Sequence, residues 1–347
     1  MTELDTGELV NRAEGAAVRR WPQARIVELE PLPGGVSSLT FSARLRHPGA
    51  DRAVVLKVAP PGLPAVRNRD VLRQARGIKA VHGAPGVAVP EILLEVDGTP
   101  PFFVMEFVAG EAYEPKWDLS DPPPSPRTVD RRARAAATML ANLQQLDPAT
   151  VGLAGEPVLS PGDELDRWAA LYATVGDDLR GDELLLQRAL RARIPSPLAP
   201  RILHGDYRLG NMQFSGERLA AIIDWELWSL GDPRHDLAWL MAFAQPIQQR
   251  VQNRDPANQA AADAMPDAGQ LLAEYLRAAP PGPRGPPGPP DEPPELDWFT
   301  ALCYYKLGAA MSALAKRNRR LPAPDPGLEL IAATTPPMLA RGLELVG

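Results

Sequence analysis

The span from Ile202 to Leu240, ILHGDYRLGNMQFSGERLAAIIDWELWSLGDPRHDLAWL, constrains this chain more than any other. It places a carboxylate at Asp206, an amide at Asn211 and a second carboxylate at Asp224, with an apolar run between the last two. The local pattern dictates strands and turns. Arg201-Ile202-Leu203 leads in as a strand, and Asn211-Met212-Gln213-Phe214 leads out. Ser215-Gly216-Glu217 makes a turn, and Leu219-Ala220-Ala221-Ile222-Ile223 is an apolar strand ending at Asp224. Such a hairpin returns Asn211 and Asp224 to one end, close enough to share a metal. Their oxygens are the hard ligands that magnesium prefers, and Asp206 can accept the proton of an attacking hydroxyl. These are the parts that kinase-type phosphoryl transfer requires. His204 reads as an orienting or packing residue, because in that template the carboxylate takes the proton.

These residues carry a resemblance. His204 to Asn211 resembles the HGDxxxxN loop of the aminoglycoside phosphotransferase family, small-molecule kinases with a protein-kinase-like fold. Ile223-Asp224-Trp225 resembles its IDW or IDF element, which stands where protein kinases have DFG. Gly231-Asp232-Pro233-Arg234-His235-Asp236-Leu237-Ala238 is similar to the branch related to kinase-like domains found with acyl-CoA dehydrogenases. The resemblance implies an α+β, two-lobed fold. A small antiparallel sheet with one main helix spans about residues 1–105, and a mostly helical catalytic and substrate lobe spans 106–347. It also implies that Asp236 is a buried brace for the catalytic loop. Arg208, inside that loop, is expected either to touch phosphate or substrate or to lie at the surface.

The first lobe is expected to supply the nucleotide site. A helix over Thr6–Arg20 precedes a strand over Ile26–Glu30 and a turn containing Gly34, Gly35 and Ser37, where backbone N–H groups can approach phosphates. Leu39–Leu45 alternates as a half-buried strand does, and Ala53–Val58 is an apolar strand interrupted by Lys57. An interior lysine needs an anionic partner, and the resemblance makes that partner the α- and β-phosphates. Val66–Val81 reads as helix. Its Arg73-Gln74-Ala75-Arg76 aligns with the family's Arg-Glu-Ala-Arg run, which puts a neutral amide, Gln74, where a glutamate normally fixes the lysine. Asp70, one turn earlier on the same face, is the possible substitute. Val87–Leu94 and Pro101–Phe107 read as strands paired through Asp97-Gly98. They run into a lobe connection where the Glu106 carbonyl and the Val108 amide are expected to meet the nucleotide base.

At 347 residues and 45% apolar content the chain is long enough for two lobes. The net charge of −6 argues against a nucleic-acid or anionic-membrane surface. A single cysteine, Cys303, excludes an internal disulfide and a multi-cysteine metal site. No apolar leader or membrane-length window is present, so the expected location is cytoplasmic. In the second lobe, Thr128-Val129-Asp130 is expected to cap a helix with Ala136, Leu140 and Leu143 on its core stripe. Further helices are expected over Glu164–Val175, Asp182–Arg193, Leu296–Lys316 and Pro336–Val346, and Trp117, Trp168 and Trp298 are expected mainly to pack. Pro280–Pro294 reads as an extended loop, its two Gly-Pro-Pro triplets being too few for a triple helix.

The activity expected is transfer of a γ-phosphoryl group from ATP or GTP to a small-molecule hydroxyl. Asp206 is the catalytic base, Asn211 and Asp224 hold Mg2+, and the partners are the nucleotide and the acceptor alone. Glu111, Glu114 and Asp118 would suit an aminoglycoside. The helix around Leu302–Leu314 is apolar with Lys306 its only charge, which favours a less polycationic acceptor, such as a hydroxyacyl compound or a macrolide-like alcohol. A pseudokinase-like nucleotide-binding module without efficient turnover is the second reading, resting on Gln74.

Overall fold

The computed structural model describes residues 4–32, 38–248, 254–279 and 295–347. The expected phosphate turn at Gly34, Gly35 and Ser37 and the proline-rich loop over 280–294 lie outside them. The first lobe begins with α1 (Thr6–Arg20), whose N-cap Asp5 accepts from the Glu8 N–H. Its small apolar face (Leu9, Ala13, Ala17) packs with Phe41, Leu56 and Val104 of the sheet. That sheet is antiparallel and comprises β1 (Arg25–Pro31), β2 (Leu39–His47), β3 (Ala50–Val58), β4 (Ile92–Val96) and β5 (Phe102–Glu106), in the order β1-β2-β3-β5-β4. On β3, Leu56 and Val58 turn to the core under α1. Lys57, between them, faces the other way by the two-residue period of a strand. β4 starts at Ile92 rather than Val87. Pro90 lacks the N–H a ladder needs and restricts the residue before it.

The helix expected over Val66–Val81 is broken. A 3-10 turn at Arg67–Arg69 comes first, and α2 (Val71–Val81) starts only after Asp70, whose carboxylate caps it by accepting from the Arg73 N–H at 3.0 Å. Asp70 is therefore a cap and not a residue on the helix face. α2 is fastened to the second lobe. Arg73 Nη1 donates to the Trp228 carbonyl at 2.8 Å, Trp228 Nε1 donates to the Arg73 carbonyl at 2.9 Å, and the guanidinium lies 4.1 Å from the indole centre. Glu156 accepts from both Arg73 Nε and Arg76 Nε. Gly77 permits this approach, since a Cβ there would come within 2.7 Å of the Trp228 ring.

In the second lobe, α3 (Pro126–Gln145) is capped by Ser125, with Pro126 in its first turn, so the cap falls three residues before Thr128. Next come β6 (Val158–Leu159), α4 (Pro161–Tyr172), α5 (Glu183–Ala192), β7 (Arg201–Leu203), the hairpin β8 (Met212–Ser215) and β9 (Arg218–Ile222), and β10 (Ser229–Gly231). The chain then continues through α6 (Arg234–Ala244), α7 (Pro256–Asp263), α8 (Ala268–Ala278), α9 (Leu296–Asn318), α10 (Pro326–Ala332) and α11 (Thr335–Val346). β10 lies between β6, parallel, and β7, antiparallel. The lobe connection is stitched to the hairpin, as Glu111 and Phe214 exchange backbone hydrogen bonds of 2.9 Å each way. α9 is buried along most of its length and packs on α4, α6 and α11. No helix among the described residues is long and apolar enough to cross a membrane.

Candidate active site

The hairpin does what its sequence pattern requires. Met212 pairs with Ile222, and the Ile223 N–H donates to the Asn211 carbonyl at 2.9 Å, which sets Asn211 beside the residue before Asp224. Asp224 then takes a left-handed conformation (φ 63°, ψ 58°). Among residues with a Cβ, aspartate is one of the few that tolerate this. The resulting kink directs its carboxylate to Lys57, and Lys57 Nζ donates to Asp224 Oδ1. The lysine side chain is 10% exposed and the carboxylate 38%. Neither Gln74 nor Asp70 holds this lysine. Gln74 is buried and its Nε2 donates to the Asn68 carbonyl at 2.9 Å.

Asp206 sits on the turn between β7 and β8. Its Oδ2 accepts from Asn211 Nδ2 at 2.7 Å and its Oδ1 from Trp239 Nε1 at 2.9 Å, with Arg208 Nε 3.4 Å from Oδ1. Burial alone would raise this carboxyl. The nearby Arg208 and Lys306 charges, with His204 and the Asn211 amide, outweigh it and hold Asp206 below the ordinary carboxylate range. Asp236, fully buried on α6, accepts from the backbone N–H of His204 (2.6 Å) and of Gly205 (3.0 Å), the bracing role its motif implies. His204 Nε2 meets the Ile223 carbonyl at 2.8 Å while Nδ1 accepts from the Asp206 N–H at 3.3 Å. The imidazole thus ties the loop to the hairpin and orients, as expected.

Arg208 is not a surface residue. Its side chain is 20% exposed, lies against the Trp117 and Phe243 rings, and bridges Asp206 to Glu114, whose Oε2 is 3.7 Å away. Glu114 is buried and accepts from the Gly210 N–H at 3.0 Å. Burial pushes its carboxyl up to about 7, against the pull of Arg208 and the Gly210 amide. From sequence alone Glu114 has only a substrate-facing role, and Trp239 has none. Trp239 lies inside the apolar run Leu237–Ala244, where nothing marks an indole that will donate to a carboxylate. Trp168 and Trp298 pack in the core as expected, while Trp117 is half-buried against Arg208. Glu106 ends β5 with an exposed side chain, and the Phe107 N–H extends the ladder to the Ala53 carbonyl at 3.2 Å before Val108.

The donor set suits magnesium. With Nδ2 of Asn211 spent on Asp206, the amide oxygen is left for a cation, and Asp224 keeps a carboxylate oxygen beyond the one on Lys57. Among the described residues no cluster of three or more His, Cys, Asp or Glu side chains could hold a metal ion by itself.

A two-lobed fold that presents a loop carboxylate and amide on one hairpin with a lysine-paired carboxylate defines the class, a protein of kinase-like fold. The chain belongs to the phosphotransferase enzyme family (APH), whose sequence model matches residues 28–272. Acyl-CoA dehydrogenase family member 10 of Mus musculus is 31% identical over 246 residues, covering 66% of this chain and 22% of that protein. Acyl-CoA dehydrogenase family member 11 of Homo sapiens is 26% identical over 306 residues, covering 84% and 37%. The chain thus spans between about a fifth and two fifths of the length of these relatives. Among solved structures, a Ralstonia eutropha JMP134 protein provisionally named an aminoglycoside phosphotransferase superposes with a TM-score of 0.70 at 23% identity, over 99% of this chain and 98% of that one. A thermostable mutant of aminoglycoside phosphotransferase APH(4)-Ia, in a ternary complex with ADP and hygromycin B, superposes at 0.58 with 14% identity, covering 95% and 98%. Macrolide 2'-phosphotransferase MphH from Brachybacterium faecium gives 0.51 with 19% identity, covering 94% and 98%. At these identities the likenesses establish the fold.

Proposed function

We propose that the protein transfers the γ-phosphoryl group of ATP, or of GTP as the alternative donor, to a hydroxyl of a small molecule. The observation that carries this reading is Asp206, a carboxylate whose two oxygens are oriented by Asn211 and Trp239 on a loop braced by Asp236. A base so held accepts the acceptor's proton while keeping its oxygen in line with the phosphorus, and positioning of this kind supplies much of the acceleration in phosphoryl transfer. Residues 1–105 would form the nucleotide lobe, with Lys57 and the Gly34-Gly35-Ser37 turn on the phosphates and the backbone of Glu106 and Val108 at the base. Asn211 and Asp224 would hold Mg2+. When bound, that ion supplies neutralisation of charge on the β- and γ-phosphates. Residues 106–347 would form the catalytic and acceptor lobe. The ADP complex of APH(4)-Ia supports a nucleotide in this fold.

The acceptor we favour is not a polycation. The three carboxylates that an aminoglycoside's ammonium groups would pair with are engaged within the protein. Glu111 binds Arg132 Nη2 at 2.8 Å, Glu114 is taken by Gly210 and Arg208, and Asp118 Oδ2 accepts from the Glu114 N–H at 2.7 Å. The charged group beside Asp206 is instead a guanidinium. A hydroxyacyl compound or macrolide-like alcohol fits this better than an aminoglycoside, and the acyl-CoA dehydrogenase names of the longer relatives agree with the former. An acceptor screen that follows ADP release from Mg-ATP tests it. Turnover with neutral or anionic alcohols is expected, and efficient phosphorylation confined to kanamycin-type compounds would overturn the preference.

A further inference from the structure

Lys306 is the lone charge in the middle of α9, 2% exposed, and a buried ammonium is costly unless it is paired and hydrogen-bonded. Here it is both. Nζ donates to the Gly205 carbonyl and lies 4.0 Å from the centre of the Trp239 ring, with Trp168 at 5.3 Å. The carboxylates whose charge acts on it are Glu164 of α4, which accepts from Trp168 Nε1 at 2.7 Å, and Asp206. The other titratable and charged groups that face this cluster are Arg167 of α4, His235 and Asp236 of α6, and Cys303 one turn back on α9. Burial lowers the ammonium's pKa, and Glu164 and Asp206 push it back.

Two routes run from this ammonium to the catalytic carboxylate. The Gly205 carbonyl belongs to the peptide group that carries the Asp206 N–H. That peptide is held at its oxygen by Lys306 and at its N–H by His204 Nδ1. Gly205 itself has φ +83° and would bring a Cβ within 2.4 Å of the Leu227 carbonyl, so the turn needs glycine and needs external partners to fix its plane. The second route is the indole. The ring whose face takes the ammonium is the one whose N–H donates to Asp206 Oδ1. We propose that Lys306 is a positioning residue for the transfer step, its buried ammonium fixing both the Gly205-Asp206 peptide and the Trp239 donor that orient the Asp206 carboxylate. The proposal rests on the reading of Asp206 as the base.

The test uses the intact 347-residue chain and a probe that needs no acceptor, the indole 15N–H resonance of Trp239, assigned among the seven tryptophans by its loss in Trp239→Phe. The shift of this resonance reports the hydrogen bond to Asp206 Oδ1, and Asp206→Asn, which replaces the charged acceptor by a neutral one, marks the weakened bond. In Lys306→Met, with the ammonium gone from the ring face and from the Gly205 carbonyl, the resonance moves at neutral pH toward the Asp206→Asn position. In parallel, turnover measured as ADP release from Mg-ATP with water as acceptor falls roughly 30- to 300-fold, while the KM for ATP stays within about twofold, as expected when orientation and not nucleotide binding is lost. A resonance that does not move toward the Asp206→Asn position, or a loss that falls equally on KM, would assign Lys306 to packing alone and overturn the proposal. If Lys306→Met does not fold, Lys306→Gln, which keeps a donor for the Gly205 carbonyl but puts no charge on the Trp239 ring, carries the same comparison. Undiminished turnover in Asp206→Asn would sink the base assignment instead, a result distinguishable from either outcome at Lys306.

Discussion

Lys57 and Asp224, 167 residues apart in sequence, form an ion pair that joins the first-lobe sheet to the end of the second-lobe hairpin. The lysine is thereby held at the place where nucleotide phosphates are proposed to bind, by a carboxylate that is itself proposed to hold the metal. Lys57→Ala should lower kcat/KM for ATP by roughly two to three orders of magnitude, since it removes a charge aimed at the phosphates. It should change the melting temperature little, because the carboxylate left behind is 38% exposed and can hydrate. Steady-state ADP release with a melting curve checks both, and a fall in kcat/KM of less than tenfold would take Lys57 out of the nucleotide site.

With Gln74 turned to Asn68, what fixes α2 is Arg73 on Trp228. Gln74→Glu should therefore not restore a lysine–carboxylate pair. It places a carboxylate in a buried site next to a backbone carbonyl, which should destabilise the protein by about 1–3 kcal/mol. Trp228→Ala should cost more, about 3–5 kcal/mol, through the cavity left under α2. Urea unfolding orders the two. A Gln74→Glu variant that is more stable than the parent and binds ATP more tightly would show that Lys57 can be recruited to α2 after all.

Glu114 gives a pH signature. Its carboxyl is raised from 4.5 to about 7 in the folded protein, so between those values the native state binds a proton that the unfolded chain releases. Its contribution is fully present below about pH 4.5 and is lost as pH rises through 7. Between pH 5.5 and 8 this amounts to about 2 kcal/mol. Glu114→Gln keeps an acceptor for the Gly210 N–H but cannot titrate, so its unfolding free energy should fall less steeply over that range. Parallel slopes for parent and variant in urea titrations at several pH values would refute the shift.

Much of this architecture was legible because its signals are local. The Thr6–Arg20 helix, the Arg201–Leu203 strand and the hairpin that joins Asn211 to Asp224 follow from caps, periodicity and a Gly turn. Asp70 was misplaced because a capping carboxylate and a face carboxylate look alike until the helix start is known. Arg208, Glu114, Trp239 and Lys306 were assigned other roles or none. Their contacts join α4, α6, α9 and the segment after the lobe connection, and sequence spacing carries no record of which distant helices will meet at one loop. The single charge in the apolar run Leu302–Leu314 was the one visible trace, and its partner, the Gly205 carbonyl, could not be read from that run.

The two proposed magnesium ligands should fail unequally. Asn211 offers one neutral oxygen, which a water can replace, whereas Asp224 supplies the protein's negative charge at the site and the counterion of Lys57. Asp224→Ala should abolish measurable transfer and weaken magnesium binding in the presence of ATP by more than tenfold. Asn211→Ala should retain some activity, but it also removes the amide that orients Asp206, so its loss should appear in kcat as well as in the magnesium requirement. Because these two ligands alone make no complete cage, magnesium should bind weakly without nucleotide and well with it. Calorimetric titrations of both variants, with and without a non-hydrolysable ATP analogue, decide the matter. Tight magnesium binding to the nucleotide-free protein, unaffected by Asp224→Ala, would place the metal elsewhere.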